Sequence, residues 1–198
     1  MWLVVGLGNP GSKYLLTRHN VGFMALDNFL SGIGDPSGKE QFHAVTTKFK
    51  MEAQDIVFAK PQTFMNKSGD SVQPLLDFYK IDLNHLIVVH DDIDQPFGHI
   101  KIQKNRGHGG HNGIRSISEV LGTQDYTRLK IGVGRPPHPK MDVADYVLGR
   151  FNPDEHGKLT ELLNLSSDAI ESLIFDGFDK SATNFSGRHI ELDQVEQK

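Results

Sequence analysis

Short runs of apolar residues, rich in Val, Ile and Leu, recur along the chain with the length typical of buried β-strands. They predict six strands, at residues 2–7, 42–49, 55–59, 86–90, 99–103 and 128–133. Between several of these runs the apolar positions are three and four residues apart, which is typical of an amphipathic helix. This spacing predicts helices at residues 20–31, 68–79 and 112–122, and a longer helix that begins at 153 and ends near Gly177.

Strands that alternate with helices indicate an α/β fold. We expect a single domain, residues 1–198, with a twisted mixed β-sheet and helices on both faces. The last helix has the clearest start, because Asn152 is a suitable N-cap and Pro153 fits the first helical position. The proline-rich stretch GRPPHPKMDVADY predicts a surface loop. Residues 179–198 form a polar tail for which the sequence predicts no definite structure.

The composition is typical of a soluble globular protein, with 37% hydrophobic and 23% charged residues in a chain of 198. No apolar run approaches the roughly 18 residues that a membrane span needs. Because the first predicted strand begins at Trp2, we expect no leader peptide, no contact with a membrane and a cytoplasmic location. The absence of cysteine excludes disulfides, thiolate metal ligands and a cysteine nucleophile.

The formal net charge of -4 argues against a protein that coats nucleic acid with its whole surface. One stretch, residues 98–130, is nevertheless locally basic, with only Glu119 and Asp125 opposing its positive charges. The basic residues of this stretch are Lys101, Lys104, Arg106, Arg115, Arg128 and Lys130. Such a stretch fits either a solvated face or an edge that binds a polyanion.

The segment VVGLGNPGSKY contains Gly6, Gly8 and Gly11 in the G-x-G-x-x-G spacing of a dinucleotide-binding turn. That turn needs a helix directly after the glycines and an acidic residue at the end of the next strand. Here the helical spacing begins only near Asn20, and Asp27, the nearest acidic residue at the right distance, lies inside that helix. We therefore expect no dinucleotide cofactor.

Polar side chains follow or precede several predicted strands, at the edge where open α/β sheets bind their ligands. We expect these side chains to converge on one cleft. They are Asn9, Tyr14, Arg18, His19 and Asn20 after the first strand, Phe64, Met65 and Asn66 after the third, His90, Asp91, Asp92 and Asp94 at the fourth, and His108, His111 and Asn112 before the third helix.

This set contains the groups needed to hydrolyse an ester with an activated water. A histidine can take the proton of the water, and a carboxylate on its other ring nitrogen can fix the tautomer and stabilise the imidazolium. A covalent nucleophile has no clear candidate, because the chain lacks a G-x-S-x-G elbow. The alternative is a metal site at HDDID, residues 90–94. Against it, adjacent residues at a strand end point to opposite faces.

Five segments resemble the bacterial peptidyl-tRNA hydrolase family in both order and spacing. They are VGLGNPGSKYLLTRHNVGF, KPQTFMNKSG, VVHDDIDQPFG, RGHGGHNGIRSI and YTRLKIGVGRP. The resemblance covers residues 2–150. It implies a monomeric single-domain α/β hydrolase, without metal or cofactor. Such an enzyme cleaves the ester between a peptide and the terminal ribose of tRNA, and so recycles tRNA from prematurely released peptidyl-tRNA.

By this resemblance, the catalytic base is His19 of TRHN, and the carboxylate that supports it is Asp91 of HDD. Three asparagines are implied to bind the substrate: Asn9, Asn66 and Asn112. The first is implied to distinguish a peptide from a free aminoacyl group. The other two are implied to position the water and the scissile ester or its oxyanion.

The resemblance also implies roles for other residues of the cleft. Tyr14 and Phe64 would meet the tRNA 3′ end, where unpaired bases offer faces for stacking. Met65 and His111 would complete the wall of the cleft. The six basic residues of the 98–130 stretch become candidates for contacts with acceptor-stem phosphates. The residues expected to be structural are His90, Asp92 and Asp94.

Two other classes of protein remain open on the sequence. A metal-dependent hydrolase that acts on other substrates would lose its activity with a chelator. A non-catalytic RNA-binding protein of the same fold would bind tRNA without turnover.

Overall fold

A computed structural model describes residues 1–34 and 36–191, which form a seven-stranded mixed sheet flanked by helices. The strands are β1 Trp2–Gly6, β2 Lys39–Gln41, β3 Ala44–Met51, β4 Gln54–Pro61, β5 Leu86–Asp92, β6 Ile100–Lys104 and β7 Thr127–Gly132. The helices are α1 Val21–Gly32, α2 Gly69–Tyr79, α3 Asn112–Leu121, α4 Val143–Val147, α5 Pro153–Phe175 and α6 Phe178–Phe185. Short 3₁₀ turns lie at Ser12–Tyr14, Arg18–Asn20, Met65–Lys67 and Leu83–His85.

The strand order of the sheet is β2-β3-β4-β1-β5-β7-β6. The four central strands β4, β1, β5 and β7 run parallel, whereas β2, β3 and β6 pair antiparallel at the two sides. The predicted α/β class with a mixed sheet is thus confirmed. Because the central strands are parallel, their carboxyl ends meet at one edge, and the loops that follow them face the same region.

The apolar strands supply both layers of the core, because alternate side chains of a strand point to opposite faces. In β1, Leu3 and Val5 pack with residues of α2 and α3, whereas Val4 packs with residues of α1 and α5. A strand buried on both faces needs apolar side chains at every position. This requirement explains the uninterrupted apolar runs of β1 and β5.

The sequence patterns did not predict β2, α4 or α6. Strand β2, with the sequence KEQ, is too short and polar to give an apolar signal. It pairs with β3 through a turn in which Phe42 and His43 have φ of 49° and 56°, so that β3 begins at Ala44 instead of at residue 42.

The prediction of a surface loop over residues 134–146 is wrong at its end, where α4 begins. The Asp142 side chain caps this helix by accepting a hydrogen bond from the Ala144 N–H at 2.7 Å. Of the tail, α6 and the segment that follows it along β6 are described. Residues 192–198 lie outside the described part. Among the described helices, none is long and apolar enough to cross a membrane.

Gly6, at the end of β1, and Gly8, just after it, allow this part of the chain to pack closely against α1. A Cβ atom on Gly6 would lie 2.4 Å from the Gly22 carbonyl oxygen, and one on Gly8 would lie 2.7 Å from the Phe23 ring. Gly11 has a φ of 106°, which side chains disfavour. Helix α1 begins only at Val21, ten residues after Gly11. The G-x-G-x-x-G spacing therefore occurs without the helix that would hold a pyrophosphate.

We expect Gly22→Ala to destabilise the protein. A Cβ atom at this position would lie 2.4 Å from the Val89 carbonyl oxygen and 2.6 Å from the Leu7 nitrogen, both of which are backbone atoms. Overpacking of this kind costs about 1–3 kcal/mol or more. Thermal unfolding should therefore show a lower Tm. Gly32→Ala, in the last turn of the same helix, is the control, because its Cβ would have open space around it. An unchanged Tm for Gly22→Ala would contradict the packing argument.

Candidate active site

A cleft of about 780 Å³ opens where the carboxyl ends of the parallel strands meet. It brings together most of the side chains that the sequence predicted to converge. Those that line it are Asn9, His19, Phe64, Met65, Asn66, His90, Asp91, Asp92, Asp94, His108, His111 and Asn112. Arg128 and Lys130 also line the cleft, together with four residues of the segment 143–148. Tyr14 is not among the residues that line the cleft; it is half-buried, with the Lys13 ammonium 4.7 Å from the centre of its ring.

Two histidines contact the same oxygen atom of Asp91. Nδ1 of His19 lies 2.9 Å from Oδ1 of Asp91, and Nε2 of His111 lies 2.8 Å from that oxygen. The carboxylate is 3% exposed, so both contacts are shielded from water. Sequence reasoning gave His111 a place in the cleft wall, and the structure adds a direct contact with the carboxylate that supports His19.

The hydrogen-bond partners assign the tautomers of both rings. Nδ1 of His111 accepts from the N–H groups of Gly113 and Ile114, at 3.1 and 3.3 Å, and so caps helix α3. Its proton must therefore be on Nε2, where it is donated to Asp91. His19 donates its Nδ1 proton to the same oxygen. Nε2 of His19 then carries a lone pair, and it has no hydrogen-bond partner among the described residues.

The charges in this group set the pKa of the proposed base. Burial alone would lower the pKa of His19, but the charge of Asp91 and its hydrogen bond offset that cost and raise the pKa above 6.5. Burial alone would likewise raise the pKa of Asp91, whereas His19 and His111 hold it far below its usual range. Asp91 is therefore a carboxylate, and the titrating member of the pair is His19.

Asn9 is held by bonds to both its backbone and its side chain. Its N–H donates to Oδ1 of Asn20 and its carbonyl accepts from Nδ2 of Asn20, both at 2.9 Å. Its side-chain oxygen accepts from the Met65 N–H at 2.8 Å. Since the amide oxygen is occupied, the group that Asn9 offers to a ligand in the cleft is Nδ2, a donor.

Asn66, Asn112 and Phe64 border the mouth of the cleft with exposed side chains. Asn66 lies in the 3₁₀ turn after β4, and Asn112 is the first residue of α3. Phe64 is 58% exposed, so its ring is open to a ligand in the cleft. Amide donors and an aromatic face are therefore available around the histidine pair.

The HDDID segment does not form the metal site that the sequence left open. Nδ1 of His90 faces the backbone carbonyl of Asp91 at 2.7 Å. Asp92 pairs with Lys130 at 2.6 Å, and Asp94 pairs with Arg135. Each side chain is thus committed to a different protein partner. Burial and the neighbouring His111 hold the pKa of His90 well below the usual histidine value, so its ring is neutral.

A different trio has ligand-like spacing, since one ring nitrogen of His19, one oxygen of Asp91 and one ring nitrogen of His111 lie within 4.8 Å of one another. A histidine ligates a metal through a lone pair. The ring nitrogen of His111 that faces Asp91 carries the proton, because its other nitrogen accepts two backbone N–H groups. The hydrogen-bond pattern therefore fits a carboxylate that accepts two protons, and it does not fit a metal centre.

The basic residues of the 98–130 stretch differ in their exposure to solvent, and they form a buried, an exposed and a half-buried group. Arg128 is 2% exposed, and its terminal nitrogens donate to the backbone carbonyls of Arg106 and Gly107. It holds this loop, so it cannot reach a phosphate without breaking both bonds. Arg106 and Arg115 are exposed. The half-buried members of the stretch are Lys101, Lys104 and Lys130.

The sequence gave no role to the segment 143–148, which forms one wall of the cleft through Val143, Ala144, Val147 and Leu148. A signal was present, because Asp142 is a suitable cap for a helix that begins at Val143. The sequence predicted Arg18 near the site, but its side chain does not line the cleft, and its ion-pair partner Glu155 lies 137 residues further along the chain.

The chain was compared with known proteins. A family model described as peptidyl-tRNA hydrolase matches residues 3–193. The chain belongs to the peptidyl-tRNA hydrolase family. The peptidyl-tRNA hydrolase of Bdellovibrio bacteriovorus is 58% identical over 186 residues, which cover 94% of this chain and 100% of that protein. The peptidyl-tRNA hydrolase of Geobacter sp. (strain M21) is 46% identical, covering 94% of this chain and 98% of that protein.

Solved structures of peptidyl-tRNA hydrolases share the fold. The enzyme from Acinetobacter baumannii has a TM-score of 0.88 and 31% identity, and the match covers 96% of each chain. A peptidyl-tRNA hydrolase in complex with N-propanol has a TM-score of 0.89 and 32% identity. Its match covers 96% of this chain and 97% of that one. The family match, over residues 3–193, spans every residue that lines the cleft.

Proposed function

We propose that this chain hydrolyses the ester between a peptide and the 3′-terminal ribose of tRNA, with His19 as general base. The observation that carries the proposal is the contact of Asp91 with Nδ1 of His19 inside the cleft. This contact leaves Nε2 as the basic atom. Nε2 removes a proton from a water molecule, which attacks the ester carbonyl, and Asp91 stabilises the imidazolium that forms.

The amides and aromatic rings of the cleft fit the rest of such a substrate. Nδ2 of Asn9 is a fixed donor and can donate to the carbonyl oxygen of a peptide bond, which a free aminoacyl group lacks. Asn66 and Asn112 can donate to the ester oxygen as negative charge develops on it. Phe64 and Tyr14 offer rings to the unpaired tRNA end. Met65, whose N–H donates to the Asn9 side chain, forms part of the wall.

The test uses N-acetylaminoacyl-tRNA and unblocked aminoacyl-tRNA as substrates, each with and without EDTA. We expect release of the N-acetylated residue alone, unaffected by EDTA. Loss of release with EDTA would favour a metal-dependent hydrolase. Binding of tRNA without release of either residue would favour a non-catalytic RNA-binding protein.

We also propose that the chain acts in the cytoplasm as a monomer. A sedimentation mass close to 22.1 kDa would support that oligomeric state.

The pH profile of kcat/KM should report the titration of His19. The base must be neutral to accept a proton, so the rate falls as pH drops through its pKa. Because Asp91 raises that pKa, we expect the acid limb to have its midpoint above 6.5, the usual histidine value. A midpoint near the usual carboxyl range would instead mean that a carboxylate is the base.

The exposed basic residues are proposed to bind acceptor-stem phosphates. Arg106→Ala combined with Arg115→Ala should raise KM and leave kcat unchanged. It should also reduce the slope of log affinity against log salt by about 2, roughly one unit for each lost phosphate contact. The control is Lys48→Ala combined with Lys50→Ala, which removes the same charge from β3 on the opposite side of the sheet. Equal effects of both pairs would mean that only net charge matters.

A further inference from the structure

Arg18, the residue before His19, is buried in contacts that the hydrolytic mechanism does not use. Its side chain is 4% exposed, and its guanidinium lies 4.4 Å from the centre of the Tyr146 ring and 5.3 Å from that of Phe151. One terminal nitrogen donates to the Arg150 carbonyl, and the other contacts Oε2 of Glu155 at 2.7 Å. A planar guanidinium suits this combination of stacking and two directed bonds, and a lysine ammonium does not.

Glu155 connects Arg18 to the longest helix of the protein. Its Oε2 atom also accepts from the Asn152 N–H at 2.5 Å and completes the capping box of α5, which has 23 residues. One carboxylate oxygen thus serves both the helix cap and the guanidinium. Helix α5 also packs against α1, the helix that follows His19 directly. Arg18 is therefore tied to the first turn of α5.

Arg18 also holds the wall of the cleft. Its backbone N–H donates to the Gly149 carbonyl at 3.0 Å, and Thr17 forms a β-bridge with Arg150. Tyr146, on which the guanidinium stacks, belongs to α4 and donates its hydroxyl to the Val133 carbonyl at 2.8 Å. The segment 143–148, four residues of which line the cleft, is thereby fixed to the turn that carries His19.

The turn that carries His19 needs such an anchor. Arg18–Asn20 is a 3₁₀ turn of three residues, and hydrogen bonds in this geometry are weaker than those of an α-helix. The 2.9 Å contact of His19 with Asp91 depends on where this turn sits. A displacement of about 1 Å at a catalytic group can reduce a rate by about 100-fold.

We propose that Arg18 is a positioning residue for the hydrolysis, which sets the placement of His19 against Asp91 and of the 143–148 wall through its ion pair with Glu155. This inference rests on the proposed function. It goes beyond a stabilising role, because it requires that loosening the ion pair changes the chemistry of His19 itself.

The test compares Arg18→Lys and Glu155→Gln with a core variant, Leu173→Ala, whose side chain is buried in α5 away from the cleft. Arg18→Lys keeps the positive charge but loses the planar fork. Glu155→Gln keeps a side-chain oxygen for the Asn152 N–H but removes the negative charge. We expect both to lower kcat about tenfold or more. In Arg18→Lys the acid limb should also move to lower pH, because His19 loses contact with the carboxylate that raises its pKa.

Leu173→Ala should lower Tm through the cavity it creates, with kcat and the acid limb at the parent values. All rates are measured well below the Tm of each variant. If Arg18→Lys and Glu155→Gln lower Tm but leave kcat and the acid limb unchanged, Arg18 is merely structural and the proposal is overturned. If Arg18→Lys fails to fold, the effect of Glu155→Gln on kcat decides between a positioning role and a merely structural role for Arg18.

An NMR titration of the His19 ring separates this proposal from the proposed function, because it needs no activity. A lower His19 pKa in Arg18→Lys than in the parent supports positioning even if no ester is hydrolysed. An unchanged His19 pKa overturns it even if the parent is an active hydrolase.

Discussion

Replacing His19 with alanine should slow hydrolysis of N-acetylaminoacyl-tRNA by about 10²–10⁴-fold, the usual contribution of a general base. At about 1.4 kcal/mol per tenfold, this loss corresponds to about 3–5 kcal/mol of transition-state stabilisation. The ring makes its protein contact through Nδ1, so the alanine variant removes the basic Nε2 atom and leaves the amides of the cleft in place. KM should therefore change little.

Single-turnover kinetics would measure this loss without interference from product release. His85→Ala is the matched control, since that histidine contacts Trp2 at the other edge of the sheet. It should retain the parent rate. If His19→Ala also retained the parent rate, the base would have to be another group, and the assignment of His19 would be wrong.

Replacing Asp91 with asparagine should reduce kcat by about 10²–10³-fold, comparable with the loss of one electrostatic contact to a developing charge. Both His19 and His111 donate to the same oxygen, Oδ1. An asparagine that turned its NH₂ group toward them would face two N–H donors, so its oxygen should occupy this position instead. The variant then keeps the tautomer of His19 and loses only the negative charge.

The loss of the Asp91 charge should also change the pH dependence of kcat/KM. Since Asp91 raises the pKa of His19, the acid limb of kcat/KM should move to lower pH in Asp91→Asn. Asp91→Ala should be slower still, because it also removes the acceptor that orients the ring. Equal rates for the two variants would show that the hydrogen bond contributes nothing. A parent-like rate for Asp91→Asn would show that the charge contributes nothing.

Much of the fold follows from local rules. The apolar runs locate β1 and β5, and Asn152 with Pro153 marks the start of α5, because these signals depend only on neighbouring residues. The convergence of polar side chains was also predictable, since parallel strands end at a common edge. The polar strand β2 and the short helix α4 were missed, because pairing and packing with distant residues stabilise them more than their own sequence does.

The sequence could name the members of the site but could not show how they are joined. The contact of His111 with Asp91 depends on the loop before α3 folding back over β5, and the ion pair of Arg18 with Glu155 joins residues 137 positions apart. Arg128 is the reverse case, because its residue type suggested a role that its position in the structure does not favour. A basic residue in a basic stretch suggested contact with phosphate, yet its strand position places the side chain beneath the loop that it holds.

The shared carboxylate oxygen determines where the proton from water can travel. Asp91 has its pKa held far below the usual range, and the ring nitrogen of His111 that faces it is already protonated. Neither group can carry the proton onward into the protein, so in the proposed reaction it stays on Nε2 of His19. The nearest recipient is then the ribose oxygen that leaves as the ester breaks. One nitrogen must therefore serve both halves of the reaction, and tRNA would depart with its hydroxyl already neutral.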